Sequence, residues 1–226
     1  MAQSITYYEE PKPAKWLFAS PQAGWIWLVV RVWLGYQWLH AGWEKVTGTS
    51  GGTWNWQFAF TGDSWLKTSA GLKGFAAFAL KGSGGEHAAV NYGWYAHFLH
   101  YLTTDGGWMA PVIALGEVAI GLGLILGLFT GVAAFFAGIL TTSFGLAGVA
   151  GVNPLFFVAE VFLVLAWRNA GYYGMDGWIL PALGTPWHRG TALDRGEPGP
   201  SSIDLTNEER VAAGRGPEDS VDPPSG

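Results

Sequence analysis

Residues 108–173 read WMAPVIALGEVAIGLGLILGLF (108–129), T (130), GVAAFFAGILTTSFGLAGVA (131–150), GVN (151–153) and PLFFVAEVFLVLAWRNAGYY (154–173). Glu117, Glu160 and Arg168 are the only charged residues in the stretch. Each run has about the 20 apolar residues that an α-helix needs to cross a hydrocarbon core. The connections are so short that consecutive helices must turn back as antiparallel neighbours. A further run, about Gln22 to Glu44, lies upstream and is opened by Pro21. The pattern predicts an all-α integral membrane protein: an antiparallel four-helix transmembrane bundle with a long amphipathic insert, 45–107, between its first and second helices.

Composition agrees. Half of the 226 residues are hydrophobic and 13% are charged, about half the charge of a typical soluble domain. The N-terminal residues 1–21 form a polar, Pro-containing arm with no cleavage-site pattern, so the first run is expected to be a retained span. The net charge of −5 comes from the C-terminus, where residues 190–226 hold eight acids and three Arg. The segment 188–226 is expected to be a disordered acidic tail. Lys12, Lys15, Arg168 and Arg189 flank the spans on the side of the termini, which favours both termini in the cytoplasm. No basic patch supports nucleic-acid binding. The chain has no Cys, which excludes thiol redox chemistry and Cys-ligated iron–sulfur clusters.

In the insert, Leu72, Phe75, Ala76 and Ala79 share one helical face, and Trp94, Phe98 and Tyr101 form another stripe. Both suggest short amphipathic helices on the membrane surface or over the bundle. After Tyr173, the segments 174–181 and Thr185–Trp187 suggest headgroup level. Close helix contact in lipid depends on small residues, and Gly35 and Gly42 in the first helix, with Gly116, Gly123 and Gly127 in the second, are the candidates.

Ionisable groups within apolar runs are pointers to a site. Arg31 and Glu117 both fall near the middle of their runs, so an interior Arg31–Glu117 ion pair is expected, either functional or setting helix register. Gln37, His40 and Glu44 share another face of the first helix. Glu160 would approach His40 with Asn153 above it. Arg31, His40, Glu117 and Glu160 are thus the candidate catalytic groups, and Gln37, Trp43, Glu44, Asn153 and Trp167 the candidate contacts to a substrate or quinone. His40 can equally be satisfied by a backbone carbonyl or water. A single His within a span argues against bis-His haem. His97 and His100, with His87 nearby, lack the converging ligands of a metal site, so no metal is expected.

The run Arg31–Lys45, RVWLGYQWLHAGWEK, resembles the first helix of the DoxX/DoxD membrane proteins. Gly116-Glu117 through Leu126-Gly127 resembles their second. Leu146–Gly148, Asn153-Pro154, Ala166–Gly171 and Gly174–Asp176 resemble the third and fourth helices and their exit. The resemblance covers about residues 22–187, and Leu72–Phe75 with Trp94-Tyr95 place it nearer DoxD. It implies a cell-membrane, multi-pass subunit of a quinone-linked oxidoreductase, taking thiosulfate to tetrathionate with quinone as co-substrate. It also implies a DoxA-like small subunit or another redox enzyme as partner. The other expected partners are the lipid bilayer and a second copy of the chain in a homo-oligomer. Two other readings stay open: a non-catalytic scaffold that recruits redox or stress-response enzymes, and a small-solute or proton pathway.

Overall fold

The computed structural model describes residues 11–49, 60–81 and 90–184. Among these residues the chain is helical, without strands. Helix α1 spans Lys12–Ala19, α2 Gly24–Thr47, α3 Ala70–Lys81, α4 Gly93–Thr104 and α5 Met109–Leu126. Then come α6 Thr130–Leu146, α7 Asn153–Leu165, α8 Trp167–Ala170 and α9 Asp176–Ala182. The tail 188–226 and Thr185–Trp187 lie outside the described residues.

Among the described residues one helical stretch, Gly106–Leu126, is long and apolar enough to cross a membrane, with 21 residues and a mean hydropathy of 2.1. α2 is long enough at 24 residues, but Trp, Gln37, His40, Glu44 and Lys45 dilute its hydropathy. α6 and α7 are apolar but shorter than expected, with 17 and 13 residues. α6 ends ahead of a turn at Gly148, whose φ is +84°. The run expected over 154–173 breaks at Ala166. That break lets Asn169 donate to the Leu17 carbonyl at 3.1 Å and carries Tyr173 to Arg31.

α2, α5, α6 and α7 pack in ring order around one apolar core. Trp27, Leu34 and Trp38 from α2 meet Ile120 and Leu124 from α5, Ala134 and Ala137 from α6, and Leu163 from α7. The outward faces remain apolar: Val112, Leu115, Leu122, Phe136, Ile139, Leu155, Val158 and Phe162 are all exposed. A surface of that kind is unstable in water and suits lipid. The polar arm is helical over α1, and its Leu17 and Phe18 pack on the core.

Glycines set the α2–α5 register. A Cβ on Gly42 would lie 2.6 Å from Val118 N, and one on Gly35 2.9 Å from the Gly121 carbonyl oxygen. Gly121 in turn faces the Leu39 backbone. The backbones therefore meet directly, as small residues in lipid allow. Gly121 makes this contact in α5. Gly116 has open space beside it, and Gly123 faces Ala133.

The insert has its own core, made by Leu72, Ala76 and Ala79 from α3 with Tyr95, Leu99 and Leu102 from α4, packed against Ala110 and Ala147. The α3 face matches expectation. In α4 the buried stripe lies one residue further on than the expected Trp94–Phe98–Tyr101, and Trp94 and Tyr101 are exposed. Ser64 and Thr61 donate to the carbonyls of Val46 and Gly48, which satisfies acceptors that a helix end leaves orphaned.

Candidate functional site

Arg31, Trp38 and Lys45 are spaced by seven residues in α2. Two helical turns separate successive members, so all three project from one stripe. Each addresses a different carboxylate. Lys45 Nζ meets Glu117 Oε2 at 2.6 Å. Trp38 Nε1 donates to Glu160 Oε1 at 3.1 Å, and Thr141 Oγ1 donates to the same oxygen at 2.9 Å. Arg31 Nη2 donates to the Tyr173 carbonyl at 2.8 Å, and the Asp176 charge acts on its guanidinium without a direct hydrogen bond to it.

The expected Arg31–Glu117 pair does not form. The glycine register places Glu117 opposite Gly42, and it places Arg31 opposite Gly127. Gly42 lies 11 residues along α2 from Arg31, about 16 Å. Position counted from the ends of the apolar runs misjudged this depth, because the backbone contacts fix the offset. Arg31 instead lies against Gly127 and Gly174, with no room for a side chain at either. Asp176 accepts from the backbone N–H groups of Phe129 at 2.5 Å and Thr130 at 2.9 Å. It thereby caps the first turn of α6 from a segment 46 residues away and is itself buried.

The expected cluster of His40, Glu44 and Gln37 around Glu160 is also not assembled. Those residues lie roughly 100° or more round α2 from Trp38, and Trp38 is the side chain that reaches Glu160. His40 stacks on Tyr36, with ring centroids 6.1 Å apart. Trp43 and Glu44 are half-buried on α2, away from the Glu160 site. Asn153 donates back to the Val149 carbonyl at 2.6 Å. Trp167 is exposed and carries the Arg168 guanidinium over its ring at 5.4 Å. His97 and His100 are exposed, and His87 lies outside the described residues.

Three expected site residues line cavities, Asn153, Trp167 and Glu160, and Glu160 is the ionisable one. It is 1% exposed, and its Oε1 is occupied by Trp38 and Thr141. Its Oε2 is buried with no hydrogen-bond partner. Glu160 lines a groove of about 610 Å³ between α6 and α7, and its Oε2 lies on the side of Gly138, another lining residue, 3.9 Å from where a Cβ there would sit. Ala134, Gly138 and Thr142 line one side, Phe157, Val161 and Val164 the other, and Trp94, Tyr95 and Phe98 of α4 also border it. Since Oε1 already accepts two hydrogen bonds, a proton on this carboxyl belongs on Oε2. The groove therefore faces a donor when the acid is neutral and an acceptor when it is ionised.

The sequence profile of the DoxX family matches residues 26–148, more than half of the chain. The chain belongs to the DoxX family. It is a membrane protein of the DoxX type. No curated protein and no solved structure matches it. The matched DoxX region holds Arg31, Trp38, Lys45, Glu117 and Thr141 but ends before α7, so Glu160 and Asp176 lie beyond it. Trp38, Lys45, Thr141 and Asp176 escaped the reading of the sequence. The seven-residue recurrence of Arg31, Trp38 and Lys45 was the available signal for the first two.

Proposed function

We propose that this DoxX-family chain is the membrane subunit of a quinone-linked oxidoreductase, and that the quinone head binds in the groove before Glu160. The observation that carries the reading is the buried, unpartnered Oε2 at the wall of an otherwise apolar cavity. A quinone ring needs an apolar slot, a hydrogen-bond donor to a carbonyl, and a group that exchanges protons as the ring is reduced. The groove supplies the slot, and Glu160 supplies the other two through one oxygen. Leaving a buried polar atom unpartnered costs on the order of 1–3 kcal/mol, and a ligand oxygen would remove that cost.

In this reading α2, α5, α6 and α7 all cross the bilayer, in a multi-pass chain with both termini cytoplasmic. The apolar outer faces support this, and α7 completes its crossing through Ala166 and α8. Thiosulfate is the proposed donor. Two thiosulfates join through a new S–S bond as tetrathionate and release two electrons. One quinone takes up both electrons with two protons and leaves as quinol. A DoxA-like small subunit or another redox enzyme is the proposed partner, and self-association is compatible with the fold. No resident haem, iron–sulfur cluster or metal is invoked.

The test is thiosulfate-dependent quinone reduction by the full chain in lipid nanodiscs, with and without such a partner. Glu160→Gln keeps an acceptor for Trp38 and Thr141 but cannot exchange a proton. Its rate is expected to fall about 100-fold, the usual worth of a positioned acid–base group. An unchanged rate would remove Glu160 from the reaction.

A further inference from the structure

The groove before Glu160 does not stand alone. A second cavity of about 400 Å³ adjoins it and shares Thr142, Leu146 and Phe157 as walls. A third, about 390 Å³, adjoins the other end and shares Phe135 and Val164. Together they form a furrow between α6 and α7 that follows the 17 residues of α6, about 25 Å. That is close to the thickness of a hydrocarbon core. Its walls are almost wholly apolar, and its flanking residues Phe135, Ile139, Phe157 and Val161 are exposed on the outer face. The furrow therefore opens sideways, toward lipid.

One position controls access from this furrow to the acid. A Cβ added to Gly138 would lie 3.9 Å from Glu160 Oε2 and 4.0 Å from Glu160 Cβ, in ordinary van der Waals contact. No backbone approaches it, unlike Gly35, Gly42 and Gly121. Packing does not require this glycine, and a mid-helix glycine costs roughly 1 kcal/mol relative to alanine. The missing side chain leaves Oε2 facing the furrow.

We propose that the α6–α7 furrow is a lateral track for a chain-bearing ligand, and that Gly138 is the aperture through which its head reaches Glu160 Oε2. The identity of the head as a quinone rests on the preceding reading of Glu160. The ligand class named here is a ring with hydrogen-bonding oxygens on a long apolar tail, entering from the bilayer. At its ends the furrow meets polar groups, Asn153 at one and Thr130 with Asp176 at the other. Toward Asn153 the α7 wall is Phe157, and the Asn153 amide is turned back onto Val149.

The test uses the full chain in nanodiscs and three probes. Two are benzoquinones with the same substituted head, one bare and one carrying a decyl chain. The third is decylbenzene. Dissociation constants are referred to ligand dissolved in the bilayer, so partitioning cancels. The decyl quinone is expected to bind about fivefold tighter than the bare head, a modest factor because packing alone drives association in lipid. Gly138→Leu is expected to weaken it about tenfold, roughly one methyl-scale clash. Gly138→Ala, which fits without displacement, should weaken it less. Gly116→Leu, on an open face of α5, should leave it unchanged and serves as the control. Equal binding of the bare and decyl quinones would overturn the track while leaving the quinone reading intact. Decylbenzene binding as tightly as the decyl quinone, and lost in Gly138→Leu, would uphold the track and remove the quinone. Binding of all probes unaffected by Gly138→Leu would overturn the aperture.

Discussion

The α2–α5 interface and the α6–α7 furrow each bury a carboxylate, and they treat it differently. Between α2 and α5, glycines bring the backbones together, and Glu117 is held through Oε2 by the Lys45 ammonium, its Oε1 buried without a hydrogen-bond partner. Between α6 and α7 a furrow runs beside Glu160, which has neutral donors on one oxygen and none on the other. A buried carboxylate paired to a cation is architectural in the simplest reading. Both acids leave one buried oxygen unpartnered, and what sets Glu160 apart is the absence of a cation and the cavity beside it, which make it the candidate binding group. The same residue type thus serves closure on one side of the core and access on the other.

The sharpest contrast is one substitution made in both regions. Gly121→Ala drives a Cβ into the Leu39 backbone, which cannot move without separating α2 from α5. The expected loss is about 3 kcal/mol, the upper end for overpacking. Gly138→Ala should be neutral or stabilise by up to about 1 kcal/mol through helix propensity. Unfolding of both variants in one detergent gives the comparison directly. Equal effects would mean that α6 and α7 are packed as tightly as α2 and α5.

The two carboxylates should also differ in what their removal does. Lys45→Met leaves Glu117 buried without its cation, at an expected cost of about 3 kcal/mol, and Lys45→Met with Glu117→Leu should recover most of it. Glu160→Gln keeps both bonds on Oε1, so its stability should change by less than about 1 kcal/mol even as quinone reduction falls. A double-mutant cycle on the first pair, with a melt and a rate for the second, would separate closure from access. Failure of the double variant to recover would make Lys45 more than a counter-charge.

Asp176 joins the two regions. It caps α6 at Phe129 and Thr130 and sets a negative charge beside Arg31, whose guanidinium lies between Gly127 and Gly174. Phe129 holds a left-handed backbone, φ 48°, which costs on the order of 1 kcal/mol for such a residue. The charged cap on its N–H opposes that cost. Asp176→Asn turns one acceptor into a donor facing another donor, and about 2 kcal/mol should be lost. Faster amide exchange in the first turn of α6, with α5 unchanged, is the expected signature.

Much of this was legible in the sequence. The apolar runs located α2, α5, α6 and α7, and Gly35 and Gly42 marked a close contact that the structure makes. Glu160 was recognisable because an acid in an apolar run demands an environment. Its partners were not, because they depend on register. Arg31 and Glu117 look level when depth is counted from run ends, yet direct backbone contact at Gly42 and Gly121 shifts them apart. Asp176 gave no sign of its capping role, because it sits among Trp, Gly and Pro in a segment read as interfacial. Its role comes from the chain folding back across α6, which periodicity does not encode. Gly138 was one glycine among many, and its meaning appears only with Glu160 beside it.

The smallest expected effect concerns the end of the furrow. Tyr95 of α4 donates its hydroxyl to the Ser143 carbonyl of α6 at 2.5 Å, which fixes the insert helix against the groove that Trp94, Tyr95 and Phe98 border. Tyr95→Phe should cost about 1 kcal/mol, the worth of one such bond, and loosen α4 without unfolding α5 to α7. Burial pushes the Tyr95 phenol from 10.0 up to about 12. Below pH 10 both docked and released forms hold the proton, so docking is at full strength. Between pH 10 and 12 the released form ionises first, and docking weakens as pH rises. Amide exchange of α4 should accelerate across that window in the wild type, and Tyr95→Phe should remove this residue's share of the dependence. A window unchanged by Tyr95→Phe would place the latch elsewhere in the insert and leave the furrow open at that end.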